Sequence, residues 1–215
     1  MRFSLPAADP ARFFCDVYCE TTAPLRDPAA FAAAYDALPP FRRKRADAYR
    51  RPGDRLRSVA AFRLLQRALA EHGVPHLDDG CLVFNEHGKP GLSSVGPEFN
   101  LSHSGEWVMV AVASRPVGVD IQCDDGRALD GLARTVLSPA ELVAFYALPP
   151  ALREEFFYAR WTAKESYLKC VGSGISVDLR TLEFSGTGIA GVPVHLFRPH
   201  PGVHAAVAVA ANSGK

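Results

Sequence analysis

The chain has 215 residues, 48% of them hydrophobic, and its 24 basic and 23 acidic side chains leave a formal net charge of +1. That balance excludes a global attraction to nucleic acid or to an anionic membrane, so any anion site has to be local. Five cysteines, odd in number and without a Cys-x-x-Cys pair, argue against a disulfide framework or a zinc knuckle and for a reducing compartment.

Prolines and an aspartate interrupt the first ten residues, where a signal peptide needs an apolar core. The longest apolar run, Trp107 to Ala113, is far too short to cross a bilayer. A cytoplasmic protein without membrane contact is expected.

In chain order, Phe13 to Glu20 reads as a strand, and 27–51 as helical material broken by Pro39-Pro40. Asp54 to Glu71 reads as an amphipathic helix with Val59, Phe62, Leu65, Ala68 and Leu69 as its apolar stripe. Between these elements lie Arg42, Arg43, Lys44, Arg45, Arg50, Arg51, Arg55 and Arg57, a dense local positive charge. Such a run is either a solvated helix face or an anion site, where arginine forks can grip phosphate. No interleaved aromatics or known DNA-binding pattern supports nucleic acid. His72 and His76 are four apart, but Gly73 and Pro75 break the helix that a zinc pair would need.

Strands follow at Leu82 to Asn85, Phe99 to Ser102 and Trp107 to Ala113. Gly88-Lys89-Pro90 sets a lysine on a tight turn without the spaced glycines of a P-loop. Ser102 and His103 stand at a strand end within reach of a ligand. They are no hydrolase pair, since neighbours on a strand point to opposite faces and no Gly-x-Ser-x-Gly is present.

A strand from Val117 to Cys123 comes next. Ser138-Pro-Ala-Glu141 is a capping box that starts a helix, which Pro149-Pro150 ends. A further helix runs from about Leu152 to Cys170 and stops at Gly172. Strands near Thr181 to Phe184, Val192 to Phe197 and Val203 to Ala210 close the chain.

Two stretches share His-x-Gly-x-x-x-x-Val-Ala-Val-Ala, beginning at His103 and His200, about half the chain apart. The repeat reads as an internal duplication, although Val/Ala strands also resemble one another by chance. The expected fold is α+β, a pseudo-dimer of two similar halves, 1–116 and 117–215, each a small antiparallel sheet with helices on one face.

Two carboxylates stand out. Asp120 interrupts the apolar strand Val117-Gly-Val-Asp-Ile-Gln122, where alternation puts Gly118, Asp120 and Gln122 on one face. A buried carboxylate needs a cation or a set of donors, so Asp120 reads either as half of a structural ion pair or as a ligand of a hard metal such as Mg²⁺. On the helix Trp161-Thr-Ala-Lys-Glu-Ser-Tyr-Leu-Lys169, positions i, i+4 and i+8 drift by only about 40° per step, so Trp161, Glu165 and Lys169 share a face. Glu165 and Lys169 then read either as an ordinary i,i+4 ion pair or as a metal ligand beside a phosphate contact.

Gly88-Lys89-Pro90, Phe99-Asn-Leu-Ser-His-Ser-Gly105, Gly118-Val-Asp-Ile-Gln122 and Trp161-Thr-Ala-Lys-Glu-Ser166, in this order, resemble the Sfp-type 4'-phosphopantetheinyl transferases over about Leu38 to Gly174. The resemblance implies a pseudo-dimeric fold and a Mg²⁺-dependent transfer of the phosphopantetheine arm of coenzyme A to a serine of an apo acyl or peptidyl carrier protein, with release of 3',5'-ADP. It implies that Asp120 and Glu165 hold Mg²⁺, with Glu165 also the base toward the carrier serine. Arg42, Arg45 and Arg57 match positions that bind the 3'-phosphate of coenzyme A. Lys89, Ser102 and His103 match residues lining the nucleotide and diphosphate, and Lys169 matches a phosphate contact.

Many members carry Asp-x-Glu in the strand motif. Here Gln122 replaces the second acid, and its amide oxygen is left as a candidate metal ligand. A chain that is its own pseudo-dimer is expected to act as a monomer. Two other functions use the same residues: a metal-dependent hydrolase of the coenzyme A pyrophosphate, and a coenzyme A binding module without catalysis.

Overall fold

The computed structural model describes residues 1–6, 13–174 and 177–211. Two four-stranded antiparallel sheets dominate it. The first contains β1 (Arg2–Ser4), β2 (Cys15–Thr21), β5 (Glu98–Ser104) and β6 (Trp107–Ala113), in the spatial order β1-β2-β6-β5. The second contains β7 (Val117–Cys123), β8 (Gly188–Ile189), β9 (Val192–His200) and β10 (Val203–Val209), in the order β7-β10-β9-β8. A separate ribbon pairs β3 (Leu82–Phe84) with β4 (Pro90–Leu92).

In each half a strand leads through helices to a hairpin: β2, then α1 (Pro28–Asp36), α2 (Pro40–Asp47) and α3 (Pro52–Glu71), then β5–β6; and β7, then α4 (Leu129–Val136), α5 (Pro139–Ala147) and α6 (Pro150–Val171), then β9–β10. The sequence repeat falls on the two equivalent hairpins, whose turns place Gly105 and Gly202 at φ values of 55° and 71°, a region that favours glycine. The α+β pseudo-dimer expected from the sequence is the fold observed.

Alternation decides the layers. One face of β2 and β6, with Val17, Met109 and Ala111, packs on Val119, Ile121, Ala205 and Val207 of the second sheet. The other face, with Tyr18, Val108, Val110 and Val112, packs on the expected α3 stripe, all of which is buried. On the far side of the second sheet α6 lies directly on β7 and β10. Gly118 permits this: a Cβ there would sit 2.0 Å from the Ser166 carbonyl oxygen and 2.2 Å from the Cys170 nitrogen. The Ser138–Glu141 capping box forms in both directions, and Gly172, at φ 72°, ends α6.

The strand expected at Thr181 to Phe184 is absent. Leu179–Thr181 is a 3₁₀ turn instead, and the Phe184 amide donates to Glu141 Oε1 (3.1 Å) rather than to a neighbouring strand. A polar side chain from α5 takes the backbone partner that a sheet would have supplied. The short β1, β4 and β8 and the helix α4 add to the elements read from the sequence. All five cysteines are free, and burial pushes Cys15 and Cys19 up to about 12. No helix among the described residues is long and apolar enough to cross a membrane.

Candidate active site

The two sheets meet edge to edge at one corner, where β5 runs beside β7. Three alternate residues of β5 stitch them together. Asn100 Oδ1 accepts from the Val119 amide (3.0 Å), Ser102 Oγ donates to Asp120 Oδ1 (2.8 Å), and Ser104 Oγ accepts from the Cys123 amide (3.0 Å). The sequence points to Ser102 alone, although the spacing Asn-x-Ser-x-Ser on a strand puts Asn100, Ser102 and Ser104 on one face.

A cleft of about 690 Å³ opens above this seam, lined among others by Arg42, Arg45, Ser102, His103, Asp120, Gln122, Trp161, Glu165 and Lys169. The helix face Trp161–Glu165–Lys169 and the strand face Asp120–Gln122 thus point into one space. The rest of the lining is largely apolar, with Phe62, Leu65, Leu82, Phe84, Phe99 and Leu101, and periodicity alone assigns none of these to a site.

Asp120 is 2% exposed and fully engaged. Lys169 Nζ lies 2.6 Å from its Oδ1, which Ser102 also reaches, and Gln122 Nε2 donates to Oδ2 at 3.0 Å. Lys169 also donates to Ser102 Oγ (2.9 Å). The recorded partner of Lys169 is therefore Asp120, on another element, rather than its own i−4 neighbour Glu165. Burial first, and the charge of Asp120 second, raise the Glu165 carboxyl above the usual glutamate range, with Lys169 partly offsetting them.

Arg42 lies with its guanidinium 4.6 Å over the Phe62 ring and donates weakly to Ser58 (3.3 Å to Oγ, 3.4 Å to the carbonyl oxygen), while its Nε is buried without a partner. Burial and the neighbouring Arg45 pull it down to about 10, so it stays cationic at neutral pH. Arg57 is not in the cleft wall; it pairs with Asp54 and donates to the Gly105 carbonyl (3.0 Å), next to the Ser102–His103 strand end. His103 lines the cleft and is exposed, with part of its ring covered by protein. This burial and the cations Arg57 and Lys169 hold its imidazole below the usual histidine range, hence neutral at pH 7.

Lys89 lies just behind, its ammonium donating to the Val117 (3.1 Å) and Cys170 (2.9 Å) carbonyls. It thereby ties the β3–β4 turn to β7 and α6. The other lysine of the α6 motif, Lys164, is wholly buried on the opposite helix face, paired with Glu141 (2.5 Å) and the Val136 carbonyl (2.8 Å).

The donor set fits a magnesium ion. Asp120 and Glu165 are hard oxygen donors lining one cleft, and they are the residues that would hold such an ion. Among the described residues no third His, Cys, Asp or Glu joins them. Two carboxylates are within magnesium's habit, since water and phosphate oxygens complete its octahedron.

The fold and cleft define an α+β pseudo-dimer with a two-carboxylate, cation-rich site between its halves. Residues 116–211 match the model of the 4'-phosphopantetheinyl transferase superfamily. A 4'-phosphopantetheinyl transferase of Bacillus subtilis is 38% identical over 95 residues, 44% of this chain and 42% of that protein. Sfp of B. subtilis strain 168 is 36% identical over the same extent, and psf-1 of Bacillus pumilus is 30% identical over 150 residues, 67% of this chain and 64% of that protein. Over these stretches the chain is similar to the 4'-phosphopantetheinyl transferases of the Sfp type. It spans between 42% and 64% of the length of these relatives.

Proposed function

We propose that the chain transfers the phosphopantetheine arm of coenzyme A to a serine of an apo acyl or peptidyl carrier protein. The observation that carries this reading is the convergence of Asp120, Glu165 and Lys169 with Arg42 and Arg45 in one cleft whose remaining lining is largely apolar. The arginines and Lys169 suit a ligand with several phosphates, and the apolar lining suits a nucleobase.

In the proposed reaction the serine oxygen forms a bond to the β-phosphorus of coenzyme A, the bond from that phosphorus to the bridging oxygen breaks, and 3',5'-ADP departs. Glu165 takes the serine proton. Its raised affinity for a proton, set by burial and Asp120, is what a base working near neutral pH needs. Lys169 neutralises the charge that develops on the departing 5'-phosphate of 3',5'-ADP, and the walls exclude water that would compete with the serine. Asp120 and Glu165 would hold Mg²⁺, with the Gln122 amide available beside them; the ion supplies charge stabilisation on the pyrophosphate. Arg42 and Arg45 are assigned to the 3'-phosphate, with Arg57 and His103 at its edge, and Ser102 to the diphosphate, while Lys89, held by the Val117 and Cys170 carbonyls, fixes the β3–β4 turn beside them. The halves divide at 116/117, between the two sheets, and one chain contains a complete site, so we expect a monomer in the cytoplasm.

The test is incubation with coenzyme A, Mg²⁺ and a panel of apo carrier proteins, followed by intact mass of each carrier. A phosphopantetheine adduct is expected. No adduct on any carrier overturns the transferase reading, and free phosphopantetheine without adduct would mark a hydrolase.

A further inference from the structure

Both oxygens of Asp120 are already taken. Oδ1 accepts from Lys169 and Ser102, and Oδ2 from the Gln122 amide. The carboxylate is 2% exposed, whereas the Lys169 side chain keeps 28% of its surface open toward the cleft. A divalent cation approaching Asp120 therefore meets an ammonium in its place. The alternative position for that ammonium, out in the cleft, is stable only when a negative group awaits it there, because a lysine that leaves a buried carboxylate gives up a charge-assisted hydrogen bond.

We infer that Lys169 is an exchangeable internal cation: it occupies Asp120 in the free chain and moves to the phosphate-bearing ligand when that ligand arrives, so that Asp120 accepts a metal ion only together with the ligand. The inference rests on the transferase reading for the identity of the ligand, but not for the competition at Asp120. Gln122 strengthens it. A second acid at that position would leave a net negative pair able to hold metal beside Lys169, whereas the neutral amide leaves Asp120 and Lys169 balanced. By linkage, metal and ligand each raise the affinity of the other by the same factor, and factors of about 5–150 are typical of such coupling.

The experiment uses the full chain and Mn²⁺ as a paramagnetic probe, titrated with and without coenzyme A, alongside a direct coenzyme A titration with and without metal. In the unmodified chain Mn²⁺ alone binds weakly and coenzyme A tightens it at least about fivefold. Lys169→Met frees Asp120, so Mn²⁺ alone binds at least about tenfold tighter and the gain from coenzyme A collapses. Lys169→Arg keeps the cation and stays weak for Mn²⁺ alone, which separates charge from mere side-chain bulk. Asp120→Asn removes the tight Mn²⁺ site in the Lys169→Met background.

Equal Mn²⁺ affinity in Lys169→Met and the unmodified chain overturns the inference, as does tight Mn²⁺ binding without coenzyme A in the unmodified chain. A chain that binds no coenzyme A at all sinks the transferase reading, while the Lys169→Met comparison with Mn²⁺ alone still decides the competition at Asp120.

Discussion

Glu165 is held in a position that costs stability, and its proposed role is that of the base. Its carboxyl has a higher proton affinity folded than unfolded, so the folded state binds the extra proton. Stability is then highest at or below the ordinary glutamate range and falls as pH rises through the raised folded value. Glu165→Gln removes that penalty. Thermal denaturation at pH 7 should show it as stable as the parent chain or more so, with a gain of about 1 kcal/mol corresponding to roughly 2–4 °C. Carrier modification should meanwhile fall by about 10²–10⁴-fold with coenzyme A binding retained in part. A variant with a normal rate would remove Glu165 from the base role.

Arg42 poses a similar case: its buried, unpartnered Nε and its two weak contacts leave it poorly satisfied until an anion arrives. Calorimetry should find dephospho-coenzyme A about tenfold weaker than coenzyme A, and Arg42→Ala should narrow that gap. Equal affinity in the parent chain would refute the 3'-phosphate assignment.

At the level of elements, the site depends on the contact between β7 and α6. Gly118 lets the Ser166–Cys170 backbone lie against the strand, which brings Asp120 and Glu165 into one cleft. Gly118→Ala must push strand and helix apart. A loss of about 3 kcal/mol or more in denaturant unfolding is expected, with loss of activity larger than the fraction unfolded explains. A fully active Gly118→Ala would show that the Asp120–Glu165 separation is not critical.

The elements were legible in proportion to how local their causes are. The capping box, the Gly172 stop and the α3 stripe are set by neighbours in sequence, and each formed where it was read. The segment from Thr181 to Phe184 was misread because its partner is Glu141, some forty positions away, which no alternation pattern encodes. Lys164 shows the same limit. It stands beside Glu165 in the motif, yet helical geometry turns it into the core, where Glu141 and the Val136 carbonyl fix α4 and α5 to α6.

For the whole molecule, the pseudo-twofold gives two meetings of the sheets, and among the described residues their side-chain chemistry differs. The corner where β5 meets β7 carries Asn100, Ser102 and Ser104. At the other meeting of the sheets Phe3 packs edge-on against Phe197, with ring centroids 4.4 Å apart, and apolar residues fill the space. Duplication gives two corners, and among the described residues the one at β5 and β7 is lined with polar side chains while the other is packed with apolar ones.

The sequence by itself determined the two-halved α+β fold, through a repeat that falls on equivalent hairpins, and it named both carboxylates, Lys169 and the arginine cluster. Periodicity and charge are local properties, and they survive without coordinates. Only the tertiary structure decided the pairings. It set Lys169 on Asp120 rather than on Glu165, drew Arg57 to Asp54 and Gly105, spent Lys89 on two carbonyls, and brought Phe62, Leu82 and Phe99 into the cleft lining. The physical reason is that a charged side chain takes whichever partner the packing brings within about 3 Å, and the distance along the chain carries no information about that.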